Sequence, residues 1–156
     1  YQFEGADGSL QVLFMKATGQ YKPFFELLSA KVLIDKREDN SIESEAVLKI
    51  KVNNIIKHTA AEGHGPVDAL DKALRKALEP FYPTMKSLHL VDYKVRVLNS
   101  EKATAAQVRV FVESSDDVSV WGTVGVSENI IQASWLALVD SISYKLIKDS
   151  REIHGR

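Results

Sequence analysis

Four histidines, no cysteine and a scatter of carboxylates are the groups from which this 156-residue chain could build reactive chemistry. Without a thiol there is no disulfide scaffold, no thiolate metal site and no cysteine nucleophile. His58 and His64 lie six residues apart, a spacing that suits neither one helix face nor a pair of metal ligands on adjacent strands, and His89 and His154 complete the set. The acids fall mostly in turns and on polar strand faces, and no two stand out as an acid/base pair. Nucleophile-elbow, phosphate-loop and dinucleotide-binding glycine patterns are missing. The chain is therefore expected to carry no metal, no cofactor and no active site of its own.

Two glycine-bearing segments are more informative. Glu62-Gly63-His64-Gly65-Pro66-Val67-Asp68 and Gly122-Thr123-Val124-Gly125-Val126-Ser127-Glu128-Asn129 each lie where a strand pattern gives way to a helix pattern. Glycine there permits close backbone approach or positive φ. A helix N-terminus behind it offers N–H groups to a carboxylate. Two readings stay open: tight strand–helix turns that need glycine, or a paired site for a small anion or an amino acid. Tyr93 and the Ala106–Val108 strand face allow the same choice. Inward apolar residues are usually plain core, yet Ala105 and Ala106 beside Val108 could leave room for a small aliphatic side chain. Trp135 reads as a helix-packing residue.

The elements that must position these segments come in two copies. Leu27-Leu28-Ser29-Ala30-Lys31-Val32-Leu33-Ile34 lines up with Leu90-Val91-Asp92-Tyr93-Lys94-Val95-Arg96-Val97, and Thr59 with Thr123, Val67 with Ile131, Ala69 with Ala133 and Ala73-Leu74 with Ala137-Leu138, at a spacing of 63 to 64. Each copy reads as three strands and a helix. In the first, residues 24–35 are an extended run, and Ala46, Leu48, Ile50 and Val52 alternate with Val47, Lys49, Lys51 and Asn53. Asp39-Asn40-Ser41 forms the turn between them, and residues 54–62 supply a third strand. In the second, Val91, Tyr93, Val95 and Val97 alternate, then Ala106, Val108, Val110 and Val112, then Val118, Val120, Gly122 and Val124 after a turn at residues 114–117.

Helix signals follow each third strand. Pro66 suits a first turn. Val67, Leu70, Leu74 and Leu78 share a face, with Asp68–Lys72 and Asp71–Arg75 as i,i+4 pairs opposite, and Pro80 and Pro83 end the run. Ser127 reads as the N-cap of the second helix, over 127–148, with Glu128 in its first turn. Ile131, Trp135, Leu138, Ile142 and Leu146 form its main stripe. Leu136 and Val139 lie off it, which predicts burial on a second side by another helix or another subunit. Residues 7–17 form a short helix with Leu10, Leu13 and Phe14 facing one way. The order predicts an α+β domain of duplicated βββα units with pseudo-twofold symmetry, helices covering antiparallel sheets, and a homodimer.

Composition narrows the partners. Twenty Lys and Arg against 21 Asp and Glu give a net charge of −1, which argues against nucleic acid or an anionic membrane as the main partner. No apolar run approaches the roughly 18 residues of a membrane span. The length suits one domain, large enough for its own core. The chain opens at Tyr1 without an initiator Met and reads as a piece of a longer protein.

On Gly63-His64-Gly65-Pro66-Val67-Asp68-Ala69-Leu70, Asp92-Tyr93-Lys94-Val95-Arg96 and Gly125-Val126-Ser127-Glu128-Asn129-Ile130-Ile131-Gln132-Ala133-Ser134, the sequence resembles the C-terminal regulatory domain of the 2-isopropylmalate synthase and citramalate synthase family, over about residues 24–148. Tyr-Gln-Phe-Glu-Gly-Ala-Asp-Gly-Ser-Leu at 1–10 and Ala133-Ser134-Trp135-Leu136-Ala137-Leu138-Val139-Asp140-Ser141, followed by Tyr144-Lys145-Leu146, point to the citramalate branch. His64 departs from the Asn common in the family. The resemblance implies an end of a linker subdomain at 1–22, a regulatory domain at 23–150 (repeats 23–82 and 86–148) and a tail at 151–156. It implies a cytoplasmic feedback module that binds isoleucine near a homodimer interface, with leucine the effector in the other branch. The module needs no cofactor and is not itself catalytic. Its remaining partner is a catalytic barrel in the same chain, which condenses acetyl-CoA with pyruvate at a divalent metal. Carried over by position, the effector would be bordered by His64, Gly65, Pro66, Val67, Asp68, Leu90, Tyr93, Val97, Ala106, Val108, Ser127 and Asn129.

Overall fold

A computed structural model describes residues 5–98 and 106–154. The chain divides into two compact units, Pro23–Lys86 and, separately, Tyr1–Lys22 with Ser87–Arg156. The first holds β1 (Glu26–Lys36), β2 (Ile42–Val52), β3 (Ile55–Gly63) and α2 (Pro66–Leu78), and a 3₁₀ turn at Pro83–Ser87 ends it. The second holds α1 (Asp7–Ala17), β4 (His89–Leu98), β5 (Gln107–Ser115), β6 (Val120–Ser127) and α3 (Ile130–His154). Each unit is an antiparallel three-stranded meander, β1-β2-β3 or β4-β5-β6, with its helix on one face. The expected α+β architecture of duplicated βββα units is the one observed.

Alternation decides which face the helix covers. In the first sheet Ala46, Leu48, Ile50 and Val52 of β2 are buried under Val67, Leu70, Leu74 and Leu78 of α2. In the second, Val110 and Val112 of β5 and Trp121 and Thr123 of β6 are buried with Ala133, Leu138 and Ile142 of α3. Period 2 meets period 3.6, and each interface becomes a core. Burying a Leu- or Ile-sized side chain contributes about 1.5–3 kcal/mol before chain entropy is set against it.

The duplication extends to irregularities. Both first strands carry a register shift at the same place, between Leu27 and Ser29 on β1 and between Leu90 and Asp92 on β4. The extra residue turns Leu27 and Leu90 onto the helix-side face, in step with Ala30 and Tyr93. The β2–β3 hairpin turns at Asn53 and Asn54, both at positive φ, the two-residue turn that suits strand twist.

Several expectations change. The stripe on α1 is real but points outward: Leu10, Leu13 and Phe14 are 48%, 47% and 62% exposed, while Gly8, Ser9, Val12 and Met15 are buried. Small residues let α1 lie closer to β6 than the bulky face would. α3 starts at Ile130, and its cap is Asn129, not Ser127: the Asn129 side chain accepts from the N–H groups of Ile131 (2.8 Å) and Gln132 (3.2 Å). The helix runs on to His154, about 37 Å at 1.5 Å per residue. By length and composition α3 could cross a membrane, against the reading that no run came close, but it is packed on its sheet and on α1 and carries the buried Lys145. Val118 lies outside β6 and is exposed. Ala106 precedes β5 and is exposed, and Ala105 lies outside the described residues. Asp71, expected on the polar face of α2, is buried, and its carboxylate accepts from the Arg75 guanidinium. Burial pushes that carboxyl up, and Arg75 only partly offsets it.

Candidate functional site

The two strand–helix junctions differ in how their helix ends are satisfied. At the first, Gly65 caps α2 with extended backbone and no side-chain bond, and Pro66 opens the helix. Asp68 turns back to accept the His64 N–H at 3.0 Å and pairs with Lys72 at 3.2 Å. Gly63 is required by space: a Cβ there would sit 2.5 Å from the Ala69 backbone nitrogen. At the second junction the side chains fill the helix end themselves. Asn129 takes the first-turn donors of α3, and Ser127 Oγ accepts the Asn129 N–H at 3.2 Å. The free N–H groups expected at this junction are thus partly occupied.

α3 approaches its strand two residues further back than α2 does. A Cβ on Gly125 would meet the Ala133 carbonyl oxygen at 2.0 Å. Contact at Gly125 leaves room at Ser127, the position that Gly63 fills in the first copy. Ser127 is opposite Val108, and Val108 opposite Val97, so the three form one row across the second sheet. The next rows on that face are Val95–Val110–Gly125, Tyr93–Val112–Thr123 and Leu90–Ser114–Trp121. α3 covers the β5 and β6 ends of these rows and leaves β4 open: Tyr93, Val95 and Val97 are 37%, 45% and 60% exposed.

Leu90, Tyr93, Val97, Val108 and Ser127 therefore share one face, with Asn129 linked to Ser127 at its end. Ala106 lies just before β5. His64, Gly65, Pro66, Val67 and Asp68 belong to the junction of the other unit. Val95 was not among the expected site residues, although it continues the same stripe; the alternation that placed Tyr93 and Val97 inward on β4 placed it too. The arrangement presents an apolar β4–β5 stripe with the polar groups of Ser127 and Asn129 at its end. Among the described residues no three His, Asp or Glu side chains are grouped to hold a metal ion.

Fold and family match together place the chain in a class of allosteric modules. The chain is a member of the LeuA allosteric (dimerisation) domain family, whose model matches residues 4–146. It is 53% identical over 153 residues to the (R)-citramalate synthase of Aquifex aeolicus (97% of this chain, 29% of the relative) and 55% identical over 156 residues to that of Geobacter sulfurreducens (99% and 29%). It is 33% identical over 112 residues to the 2-isopropylmalate synthase of Aquifex aeolicus (70% and 19%). The chain spans less than a third of the length of these curated relatives.

Proposed function

We propose that this chain is the isoleucine-sensing, dimer-forming part of a citramalate synthase, located in the cytoplasm, and that it transmits feedback inhibition to a catalytic part of the same polypeptide. The observation that carries this is the uncovered stripe Tyr93–Val95–Val97 beside Val108 and Ser127, in a chain of an allosteric family with more than half its residues identical to citramalate synthases. The stripe suits a branched side chain. Ser127 and Asn129 suit the charged end of an amino acid, and the first junction, from His64 to Asp68, enters this reading on the family resemblance alone. A second chain seated on the open β4 face would close such a pocket and make occupancy depend on dimer geometry. Inhibition then requires that isoleucine bind the inactive arrangement more tightly than the active one.

Calorimetry with isoleucine, leucine and valine tests the reading. Heat with isoleucine, weaker with leucine, is expected. Placement of one methyl discriminates by only about 1–3 kcal/mol. A leucine preference would assign the chain to isopropylmalate-type control, and silence with all three would remove the sensing role. A second reading, a dimerisation domain with no effector, is favoured by one observation: Asn129 already satisfies the α3 end.

A further inference from the structure

Among the described residues, α1 is an addition to the repeat, and it is bonded to one copy alone. β6 is an edge strand, and α1 takes up its edge donors with side chains. Asp7 Oδ1 accepts the Gly122 N–H at 2.9 Å, and Ser9 Oγ accepts the Val124 N–H at 2.9 Å. The backbones are nearly touching: a Cβ on Gly122 would lie 2.2 Å from the Gly5 carbonyl oxygen, and one on Gly8 2.8 Å from the Gly122 carbonyl oxygen. Trp121 through Gly125 are consequently all buried, whereas β3, the equivalent strand, alternates between exposed and half-buried up to Glu62. The positions 64 residues earlier, His58 and Ala60, have no such helix.

Ser9 joins three elements. Its buried hydroxyl accepts from β6, as above, and donates to Asp140 Oδ2 of α3 at 2.8 Å. A second acceptor, the Val124 carbonyl, stands at 3.4 Å. The hydroxyl carries one proton, so it can serve Asp140 or Val124 but not both fully. Beside Ser9, a crevice of about 180 Å³ opens among α1, β6 and α3, lined in part by Leu13, Lys16, Val126 and Leu136. Burial raises the Asp140 carboxyl's affinity for a proton, opposed by the Ser9 bond and the Lys16 charge.

We infer that Ser9 is a positioning residue that couples the β6–α3 junction to α1, its proton moving between Asp140 and the Val124 carbonyl as α3 shifts against β6. This rests on the effector reading, because the shift is the one an amino acid at Ser127 and Asn129 would impose. α1 is then the element through which occupancy leaves the second unit. One buried hydroxyl with two competing acceptors, biased by a ligand at the junction, is the two-state element that this coupling between sites would use.

Amide hydrogen exchange of this chain, with and without saturating isoleucine, reads the coupling. Exchange at the Asp7–Ala17 amides should change by about fivefold or more on binding. Ser9→Ala and Asp140→Ala should keep isoleucine binding by calorimetry and lose that change, while Asp140→Asn, which still accepts from Ser9, should retain it. Thr59→Val, a destabilising change in the other unit, should leave the response intact, which separates coupling from loss of stability. Binding heat with an unchanged α1 in the unsubstituted chain would overturn the inference and spare the effector reading. So would a full response in Ser9→Ala. Absence of heat with any branched-chain amino acid would overturn both.

Discussion

Thr59 and Thr123 stand 64 residues apart and make the same bond. Each Oγ1 donates to the carbonyl of an alanine 14 residues later, Thr59 to Ala73 at 2.9 Å and Thr123 to Ala137 at 2.7 Å. A strand hydroxyl thus pins the third strand to the helix in each copy. Thr123 is fully buried and Thr59 only half-buried, so the two bonds differ in worth. Valine keeps the shape and removes the donor. Thr123→Val should destabilise by about 1 kcal/mol or more, lowering Tm by roughly 2–4 °C, and Thr59→Val by less. Thermal unfolding followed by circular dichroism measures both; equal, negligible shifts would show that shape alone matters here.

The second copy has an ionic lock that the first does not repeat. Asp116, in the turn between β5 and β6, is held by Lys145 at 2.9 Å and Lys148 at 2.5 Å, and Lys145 also reaches Asp149 at 2.9 Å. Burial pushes the Asp116 carboxyl up, but the two ammonium groups and the N–H groups of Ser119 and Val118 outweigh it and hold it well below the usual carboxylate range. A depressed carboxyl contributes stability that is complete above the unfolded value, near 3.9, and is lost as pH falls through the folded one. Asp71 and Asp140, raised by burial, act in the opposite direction: their contribution falls as pH rises from the ordinary carboxylate value through the folded values. Asp116→Asn should cost up to about 3 kcal/mol, because it takes the carboxylate from Lys148 and leaves Lys145 with Asp149 alone. It should also flatten the acid side of the stability–pH curve, which urea titrations from pH 2 to 7 would reveal.

Much of this fold can be read from residue order, because alternation and helical spacing are local signals. The change in repeat spacing from 63 to 64 also has a structural location. Ile34 to Ser44 spans one residue less than Val97 to Val108, so the extra residue enters between the first two strands of the second copy. What depends on long-range packing was not legible. The sequence puts Leu10, Leu13 and Phe14 on one side of α1 but does not say which side meets the sheet; the glycine and serine face does, because β6 has Gly122 opposite it. Ser127 has the residue type of a cap, but the path of the chain off Gly125 gives that role to Asn129. Of the expected site, the β4–β5 face could be read from alternation once the bulge at Val91 is known. The openness of β4 could not, since it reflects where α3 stops covering the sheet.

Gly125 and Gly63 are predicted to tolerate no side chain, for the same reason at different places. An alanine Cβ at either would strike helix backbone, which cannot swing aside as a side chain can. Gly125→Ala and Gly63→Ala should each cost roughly 1–3 kcal/mol or more as the helix lifts from its strand. Gly19→Ala meets no atom within 4 Å but sits at φ +72, so its smaller cost is conformational, on the order of 1 kcal/mol. Denaturant midpoints for the three variants should rank in that order, and a Gly19 variant as damaged as Gly125→Ala would undo the steric argument.

Val108 offers the cleanest separation between an effector site and a plain dimerisation surface. It is half-buried at the centre of the row Val97–Val108–Ser127, on the uncovered end of the helix-side face. Tryptophan there would fill the space a branched side chain needs while leaving Val110, Val112 and the α3 contact untouched. If isoleucine lies on this stripe, Val108→Trp should abolish its binding heat, with circular dichroism and the sedimentation coefficient of the dimer unchanged. Tyr93→Ala should weaken binding less, about tenfold, by removing one wall of the stripe rather than occupying it. Retained isoleucine binding in Val108→Trp would move the effector away from this face and leave the stripe to a partner chain. Loss of the dimer together with binding would place both functions on the same residues.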